Sequence, residues 1–279
     1  MPKPEANLNG PKLVAPSGAC DTHFHIFHPQ YQMASTAVIP APDASLEAYR
    51  EVQSRLGLTR AVVVQSTTYG FDNRCTLDAM AKLDARGVVV VPPSVSEEEL
   101  SELTEKGVRG IRFFMLPGGA LPWDTLDELA ARVHNFGWHV QIQLNGYEMP
   151  QCEAALRNLP GTLVVDHVGR FHGGVTPDHV AFKTLLRLVE RGDTWVKLSA
   201  PYEHTLDGAP DYPMVRDLVQ VLVKAAPERM VWATNWPHPG HDERPDDAAM
   251  LDLLLDWVDD EATRNRILVD NPARLYDFP

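Results

Sequence analysis

The chain has 279 residues and a formal net charge of −13, from 25 basic and 38 acidic side chains. This acidity excludes a generic electrostatic nucleic-acid binder, which needs a basic face, although a few local arginines can still hold a small anion. Hydrophobic residues make up 44% of the chain and charged residues 23%, a globular composition that excludes disorder throughout.

The N-terminal segment, residues 1–18, contains prolines and lysines but no apolar stretch, so it predicts a flexible arm and not a signal peptide. No run approaches the roughly 18 apolar residues of a transmembrane helix. The three cysteines, Cys20, Cys75 and Cys152, are widely spaced and lack the spacing of metal ligands. They predict reduced thiols in a cytoplasmic protein.

Eight short apolar runs alternate with helical patterns over residues 19–279. The runs cover residues 20–26, 60–66, 87–93, 110–115, 139–145, 162–168, 194–200 and 229–235. Several are nearly continuous in valine, isoleucine and leucine, which is typical of parallel strands buried on both faces. Eight βα units predict an α/β fold, a single-domain (β/α)8 TIM barrel. An open doubly wound sheet is the second choice, but the Gly-rich phosphate loop typical of it is absent after the first run.

The first predicted strand carries polar residues at alternating positions. Residues two apart in a strand share a face, so Asp21, His23 and His25 are expected to point the same way at the barrel mouth. Two imidazoles at this spacing suit a metal ion or an oxyanion at the barrel axis. His167, at the end of the sixth strand, is the candidate third member.

Two other strands carry polar residues toward the same mouth. On the fifth strand, Gln141, Gln143 and Asn145 share one face, opposite valine, isoleucine and leucine. The amides are expected inside the barrel, as part of a site or as a satisfied polar layer. The eighth strand ends at Asn235, and His238 follows it. The long loops 28–48 and 201–214 also follow strands, and loops of this length usually carry function or cover a site.

Together these segments resemble the amidohydrolase superfamily. The resemblance extends from GACDTHFH to the NPARLY helix and is carried by DTHFHIFHP, VVVQSTTYGFDN, GVRGIRFF, VVDHVGR, WVKLSAPY and NWPHP. The chain is most similar to the branch that contains 2-pyrone-4,6-dicarboxylate lactonase, sugar lactonases and galactarolactone isomerase. The resemblance implies a (β/α)8 barrel with acyl chemistry on a small cyclic ester at the strand ends.

The chain departs from the metal-dependent members of that superfamily. Those members add a lysine, glutamate or cysteine on strand four, a histidine on strand five and an aspartate on strand eight. The corresponding residues here are Phe114 or Met115, Gln143 and Asn235.

The departures leave His23, His25 and His167 as the implied metal ligands, with Asp21 as the one carboxylate considered. Such a set binds zinc less well than the usual ligands with carboxylate support, so no cofactor is expected. One divalent metal, such as zinc on these three histidines, is the alternative.

Asn235 stands where the lactonase branch usually has an aspartate as general base. An amide cannot take a proton, so either Asp21, His167 or His238 replaces it, or the reaction needs no such base. The second possibility is an isomerisation in which a substrate hydroxyl attacks the carbonyl and Asn235 orients it. The predicted catalytic residues are His23, His25, His167, Asn235 and His238.

Arginines offer the handles for an anionic substrate. Arg112 resembles the arginine that holds a substrate carboxylate in the pyrone lactonase, a task that suits a guanidinium. The branch is also expected to carry an arginine soon after strand seven, where this chain has Glu203; Arg170 is the candidate replacement. The predicted substrate contacts are Ser66, Asn73, Arg74, Arg112, Gln143, Tyr147, Arg170 and Tyr202.

Two further basic residues are expected to have other roles. Arg109 should lie at the start of its strand, away from the site. Lys197 is expected to be a buried charge paired with an acid; a Schiff-base lysine is the alternative, but it gives the histidine cluster no role.

The sequence as a whole predicts a cytoplasmic, metal-independent hydrolase of a small carboxylated lactone. The alternatives are a lactone isomerase of the same branch, a metal-dependent amidohydrolase or decarboxylase, and a non-catalytic ligand-binding barrel. The expected partner is the small lactone or carboxylate itself, with no nucleic acid and no membrane, and the oligomeric state is left open.

Overall fold

Eight parallel strands in sequential order form the centre of the molecule. The computed structural model describes residues 10–205, 208–241 and 243–279. The strands are β1 (Cys20–Phe24), β2 (Arg60–Val64), β3 (Arg86–Val89), β4 (Val108–Phe114), β5 (His139–Gln143), β6 (Leu163–Val165), β7 (Thr194–Leu198) and β8 (Met230–Trp232). Each strand pairs with the next. The N–H of Asn235, just after β8, donates to the carbonyl of His23 at 2.9 Å and brings the two edges together. The predicted single-domain (β/α)8 barrel is confirmed.

Helices cover the outside of the barrel, and local sequence signals define their ends. Their bounds are α1 (Leu46–Leu56), α2 (Arg74–Leu83), α3 (Glu97–Glu105), α4 (Leu126–His134), α5 (Met149–Asn158), α6 (Val180–Glu190), α7 (Pro213–Ala225), α8 (Asp247–Trp257), α9 (Glu261–Asn265) and α10 (Asn271–Tyr276). Ser45 caps α1 by accepting from the N–H of Ala48, and Gly57 ends it with a φ of 71°. Among the helices described, none is long and apolar enough to cross a membrane.

The apolar core lies between the sheet and the helices. A smaller buried apolar group consists of Cys20, Val62, Val64, Val88 and Tyr276. Polar side chains gather at the ends of the strands, the face where barrels of this kind place their sites.

The predicted N-terminal arm is only partly described, since residues 1–9 lie outside the described residues. In the part that is described, Leu13 is buried in the core and its N–H donates to Asp252 Oδ1 at 2.9 Å. Packing against the barrel therefore begins before residue 19. Cys20, Cys75 and Cys152 are free cysteines.

Candidate active site

A cavity opens at the carboxyl ends of the strands, the face where (β/α)8 barrels place their sites. The two long loops reach this cavity. Loop 28–48 contributes Ile39, and loop 201–214 contributes Glu203; residues 206 and 207 of the second loop lie outside the described residues. The predicted site residues that line the cavity are His25, Ser66, Arg112, Gln143, His167, Arg170 and Asn235. The structure thus brings residues from six of the strand ends to one place.

A bulge in β1 separates Asp21 from the histidines of the same strand. Between Asp21 and Phe24, the strand has one residue more than the paired stretch of β2. The Asp21 carboxylate accepts from the N–H and hydroxyl of Thr234 at 3.0 and 2.6 Å, and from the hydroxyl of Tyr49 on α1 at 3.1 Å. The prediction that Asp21 shares the histidines' face is wrong, because the extra residue breaks the two-residue alternation. Its carboxylate faces α1, so it is not positioned as the base of the reaction.

The two histidines form a directed hydrogen-bonded pair. The Nδ1 of His25 lies 2.8 Å from the carbonyl of Val64, which can only accept, so Nδ1 carries the proton and Nε2 is an acceptor. The Nε2 of His23, 3.2 Å away, therefore donates to it. The Nδ1 of His23 is then an acceptor, and the Lys197 ammonium at 3.3 Å is a donor to it. Burial lowers the pKa of His25 to about 3 and that of His23 well below its usual value, so both are neutral at pH 7.

Asp166 is the buried carboxylate of this site, and the sequence reasoning missed it. Its Oδ1 lies 3.3 Å from His23 Nδ1 and 3.7 Å from Lys197 Nζ, and its Oδ2 accepts from Gln141 at 3.1 Å. Burial opposes ionisation, but the Lys197 ammonium beside the carboxylate helps to hold the pKa of Asp166 well below its usual range. The expectation of a buried Lys197 paired with an acid is confirmed, and Gln141 lies inside the barrel as predicted.

The backbone after β6 explains how two adjacent residues both reach the interior. β6 ends at Val165, and the four residues 167–170 all have positive φ, between 50° and 87°. This conformation is costly for side chains other than glycine, and such strain concentrates at functional positions. In an extended strand, Asp166 and His167 would face opposite sides. The turn instead lets the Nδ1 of His167 reach Ser199 Oγ at 2.9 Å while His167 also lines the cavity.

Arg112 supplies a buried positive charge to the cavity wall. Only 4% of the residue is exposed. Its guanidinium donates to the carbonyl of Gln65 at 2.8 Å and to Oε1 of Gln143 at 2.9 Å, and it lies over the ring of Phe114. Burial lowers the pKa of Arg112, but from a starting value of 12.5 the group stays charged. Two N–H groups are used, which leaves others for an anion.

Arg170 and Glu203 form an ion pair at the rim of the cavity. The Nε of Arg170 donates to the Glu203 carboxylate at 2.9 Å. Burial would raise the pKa of Glu203, but a hydrogen bond from His241 and the neighbouring positive charges lower it to about 2. Arg170 was predicted to replace the missing arginine after strand seven. Arg170 lies at the cavity, but its guanidinium is paired with Glu203. Arg112 is therefore better placed to bind the carboxylate of a substrate.

Three predicted substrate contacts are not brought to the cavity. The amide of Asn73 bonds reciprocally to the N–H and carbonyl of Val90 at 3.1 and 2.7 Å, which fixes the loop after β2 to β3. The Arg74 side chain is 71% exposed and pairs with Asp72. Tyr147 is 38% exposed, and its hydroxyl donates to a backbone carbonyl outside the cavity. The sequence placed all three on the correct loops but could not show which way they turn.

Three other predicted residues lie at or behind the cavity wall. Ser66 lines the cavity, and its hydroxyl accepts from the N–H of Thr68 at 3.2 Å. Tyr202 and His238 are buried behind Asn235, and the Tyr202 hydroxyl forms hydrogen bonds with Asn235 and with His238. Tyr202 and His238 therefore act on the cavity through Asn235.

The donor set can be tested against the alternative of a divalent metal. Within the described residues, the groups whose ligand atoms lie within 4.8 Å of one another are His23, Asp166 and His167. The metal ligands implied by the sequence were His23, His25 and His167, whereas the group found in the structure contains Asp166 in place of His25. The Asp166 carboxylate, however, already faces Lys197, and Arg112 lies 4.0 Å from it. Two buried cations beside one carboxylate disfavour a further dication, so these residues fit a divalent metal poorly.

The pKa of Lys197 predicts how activity should change with pH. Burial lowers this pKa from 10.5 to about 8, against the pull of Asp166. At pH 7 the ammonium is present, and we expect kcat to fall as pH rises through about 8, because the positive charge next to the histidine pair is lost. Between about 8 and 10.5 the unfolded chain binds more protons than the folded chain, so folding stability rises over this window.

A pH profile of kcat, with circular dichroism at each pH, checks this. The alkaline loss should occur without unfolding and should be absent from the residual activity of Lys197→Met. An alkaline limb with the same midpoint in that variant would assign it to another group.

The fold and the cavity define a (β/α)8 barrel with an enzyme-type site at the C-terminal mouth. The chain belongs to the amidohydrolase family, whose model matches residues 20–278. It is 34% identical to D-galactarolactone isomerase of Agrobacterium fabrum over 95% of this chain and 93% of the relative. It is 35% identical to 2-pyrone-4,6-dicarboxylate hydrolase of Comamonas testosteroni over 97% of this chain and 94% of that relative. An apo crystal structure of an Agrobacterium tumefaciens protein, 34% identical, covers 98% of this chain and 99% of its own with a TM-score of 0.92. The resemblance predicted from the sequence is confirmed.

Proposed function

We propose that the chain is a lactonase-type hydrolase that opens a small carboxylated lactone without a metal ion. The observation that carries this proposal is the cavity itself, into which the neutral His25 and His167 and the cationic Arg112 open together. The relatives support the substrate class, since one is named for galactarolactone and another for a pyrone dicarboxylate, both small carboxylated cyclic esters. The free cysteines support the expectation of a cytoplasmic location.

Each group has a role that its surroundings favour. Arg112 holds the substrate carboxylate through its unused N–H groups. Burial lowers the pKa of His167 to about 4, so it is neutral at pH 7 and able to accept a proton. The Lys197 ammonium lies beneath the histidine pair and stabilises negative charge that develops on the carbonyl oxygen.

In hydrolysis, the oxygen of a water molecule forms a bond to the ester carbonyl carbon, and the bond from that carbon to the ring oxygen breaks. His167 takes a proton from the water and returns it to the departing ring oxygen. The products are a carboxylate, a hydroxyl and one released proton.

Isomerisation is the second candidate, and Asn235 favours it. The amide lies at the cavity where an aspartate could have served as base, and it cannot accept a proton. In this reaction a substrate hydroxyl replaces water. A new ring C–O bond forms, the old one breaks, and the hydroxyl proton moves through His167 to the old ring oxygen. No water is consumed.

Asn235→Asp separates the two reactions. With galactarolactone and 2-pyrone-4,6-dicarboxylate as probes in H₂¹⁸O, NMR and mass spectrometry give the products and the incorporated oxygen. We expect the carboxylate to act as a base and raise hydrolysis about tenfold or more. The matched variant Asn145→Asp should change neither rate, since Asn145 bonds to the N–H of Tyr147 and is not at the cavity. Loss of all turnover in Asn235→Asp would instead favour isomerisation with a positioning amide, and an inert wild type would contradict both reactions.

A further inference from the structure

A line of four buried side chains leads from the cavity wall to the first turn of α8. The Nδ2 of Asn235 lies 2.9 Å from the hydroxyl of Tyr202. That hydroxyl lies 2.7 Å from Nδ1 of His238, whose Nε2 lies 3.1 Å from Oδ1 of Asp247. All four residues are at most 6% exposed. No step of the reaction described above uses Tyr202, His238 or Asp247.

The direction of these hydrogen bonds is fixed from the Asp247 end. Asp247 is the first residue of α8, and an Arg55 guanidinium lies 3.9 Å from its carboxylate, so both the helix and the cation favour the anion. A carboxylate only accepts, and Nε2 of His238 must therefore carry the proton.

The rest of the direction follows from the Tyr202 hydroxyl, whose one proton needs an acceptor. The amide nitrogen of Asn235 can only donate, so the hydroxyl donates to Nδ1 of His238 and its oxygen accepts from the Asn235 amide nitrogen. The amide nitrogen is thereby held away from the substrate. The other end of the amide, Oδ1, is the end presented to the cavity.

We propose that Tyr202 is a positioning residue that, backed by His238 and Asp247, fixes Asn235 as a hydrogen-bond acceptor for a hydroxyl of the substrate. The inference rests on the proposed lactone chemistry and narrows it to lactones with a free hydroxyl near the ester. An unheld amide can turn its NH₂ toward the cavity, where it no longer accepts from a hydroxyl. An aspartate has two equivalent oxygens and needs no such hold.

The test compares galactarolactone with its analogue in which the ring hydroxyls are replaced by hydrogen. Calorimetry gives Kd for each compound, and kcat and KM are measured where turnover occurs. In the wild type, galactarolactone should bind about tenfold more tightly than the analogue. Tyr202→Phe should remove that preference through weaker binding of galactarolactone only. Tyr69→Phe, which removes a hydroxyl bonded to the His28 backbone away from the cavity, should keep the preference.

The double variant separates positioning from a merely structural role. In an Asn235→Asp background, Tyr202→Phe should leave the preference unchanged, since either carboxylate oxygen can accept. An equal loss for both compounds in both backgrounds would overturn the proposal, and so would a wild type without preference. If the wild type turns over neither compound, the proposed function fails, whereas the Kd values still decide the role of Tyr202.

Discussion

His167→Gln is expected to lower kcat by about 100- to 10,000-fold, the usual contribution of a proton-transferring group. The imidazole lines the cavity, and burial lowers its pKa to about 4, so at neutral pH it is a buried free base at the cavity wall. Glutamine keeps a side chain that can hydrogen-bond to Ser199, which now bonds to Nδ1 at 2.9 Å, but it cannot carry a proton. KM should change far less than kcat.

Steady-state kinetics on galactarolactone check this, with His172→Ala as the control. His172 is five residues along the same segment and is exposed, so its removal should leave kcat unchanged. A His167→Gln enzyme with kcat within about threefold of the wild type would assign the proton transfer to another group. His25 would then be the next candidate, because it also lines the cavity.

Arg112→Met should raise KM for a carboxylated lactone about 100-fold, and Arg112→Lys should recover only part of the loss. A charged hydrogen bond that is lost in a buried site costs about 2–5 kcal/mol. Lysine restores the positive charge but not the planar guanidinium. Only the guanidinium can bond to Gln65 and Gln143 on one side and to a carboxylate on the other. A lactone without a carboxylate should show little change in KM between the wild type and either variant.

The matched control is Arg109→Met on the same strand. Arg109 lies near the start of β4 and pairs with Asp277 at 3.0 Å, at the opposite end of the barrel. Its loss should leave KM unchanged. Equal losses for the carboxylated and the uncarboxylated lactone in Arg112→Met would mean that Arg112 supports the wall and does not hold the carboxylate.

The sequence predicted the barrel well because its signals are local. Continuous valine-rich runs and glycine-terminated helices depend on neighbours along the chain, and the order of the strands follows from them. The residues that line the mouth, such as His25, Arg112 and Asn235, could be predicted for the same reason. They stand at strand ends, which a (β/α)8 barrel gathers at one face.

The directions of side chains on irregular stretches of backbone could not be predicted from the sequence. A one-residue bulge turned Asp21 away from the histidines, and a run of positive φ that starts at His167 turned this side chain into the interior beside Asp166. Both effects depend on the pairing of distant strands and on a strained turn, which a residue pattern does not encode. The VVDHVGR segment did hold a signal, since an aspartate next to a strand-end histidine is costly to bury without a partner, and Lys197 was available as that partner.

We propose that this barrel opens or rearranges a carboxylated lactone without a metal ion. The direct test is turnover of galactarolactone and 2-pyrone-4,6-dicarboxylate by chelator-treated protein whose metal content is measured by mass spectrometry. We expect full activity at a metal content far below one ion per chain, and we expect this activity to be lost in His167→Gln. Activity that appears only with stoichiometric zinc would contradict the metal-independent chemistry, and no turnover of either lactone would contradict the proposed function.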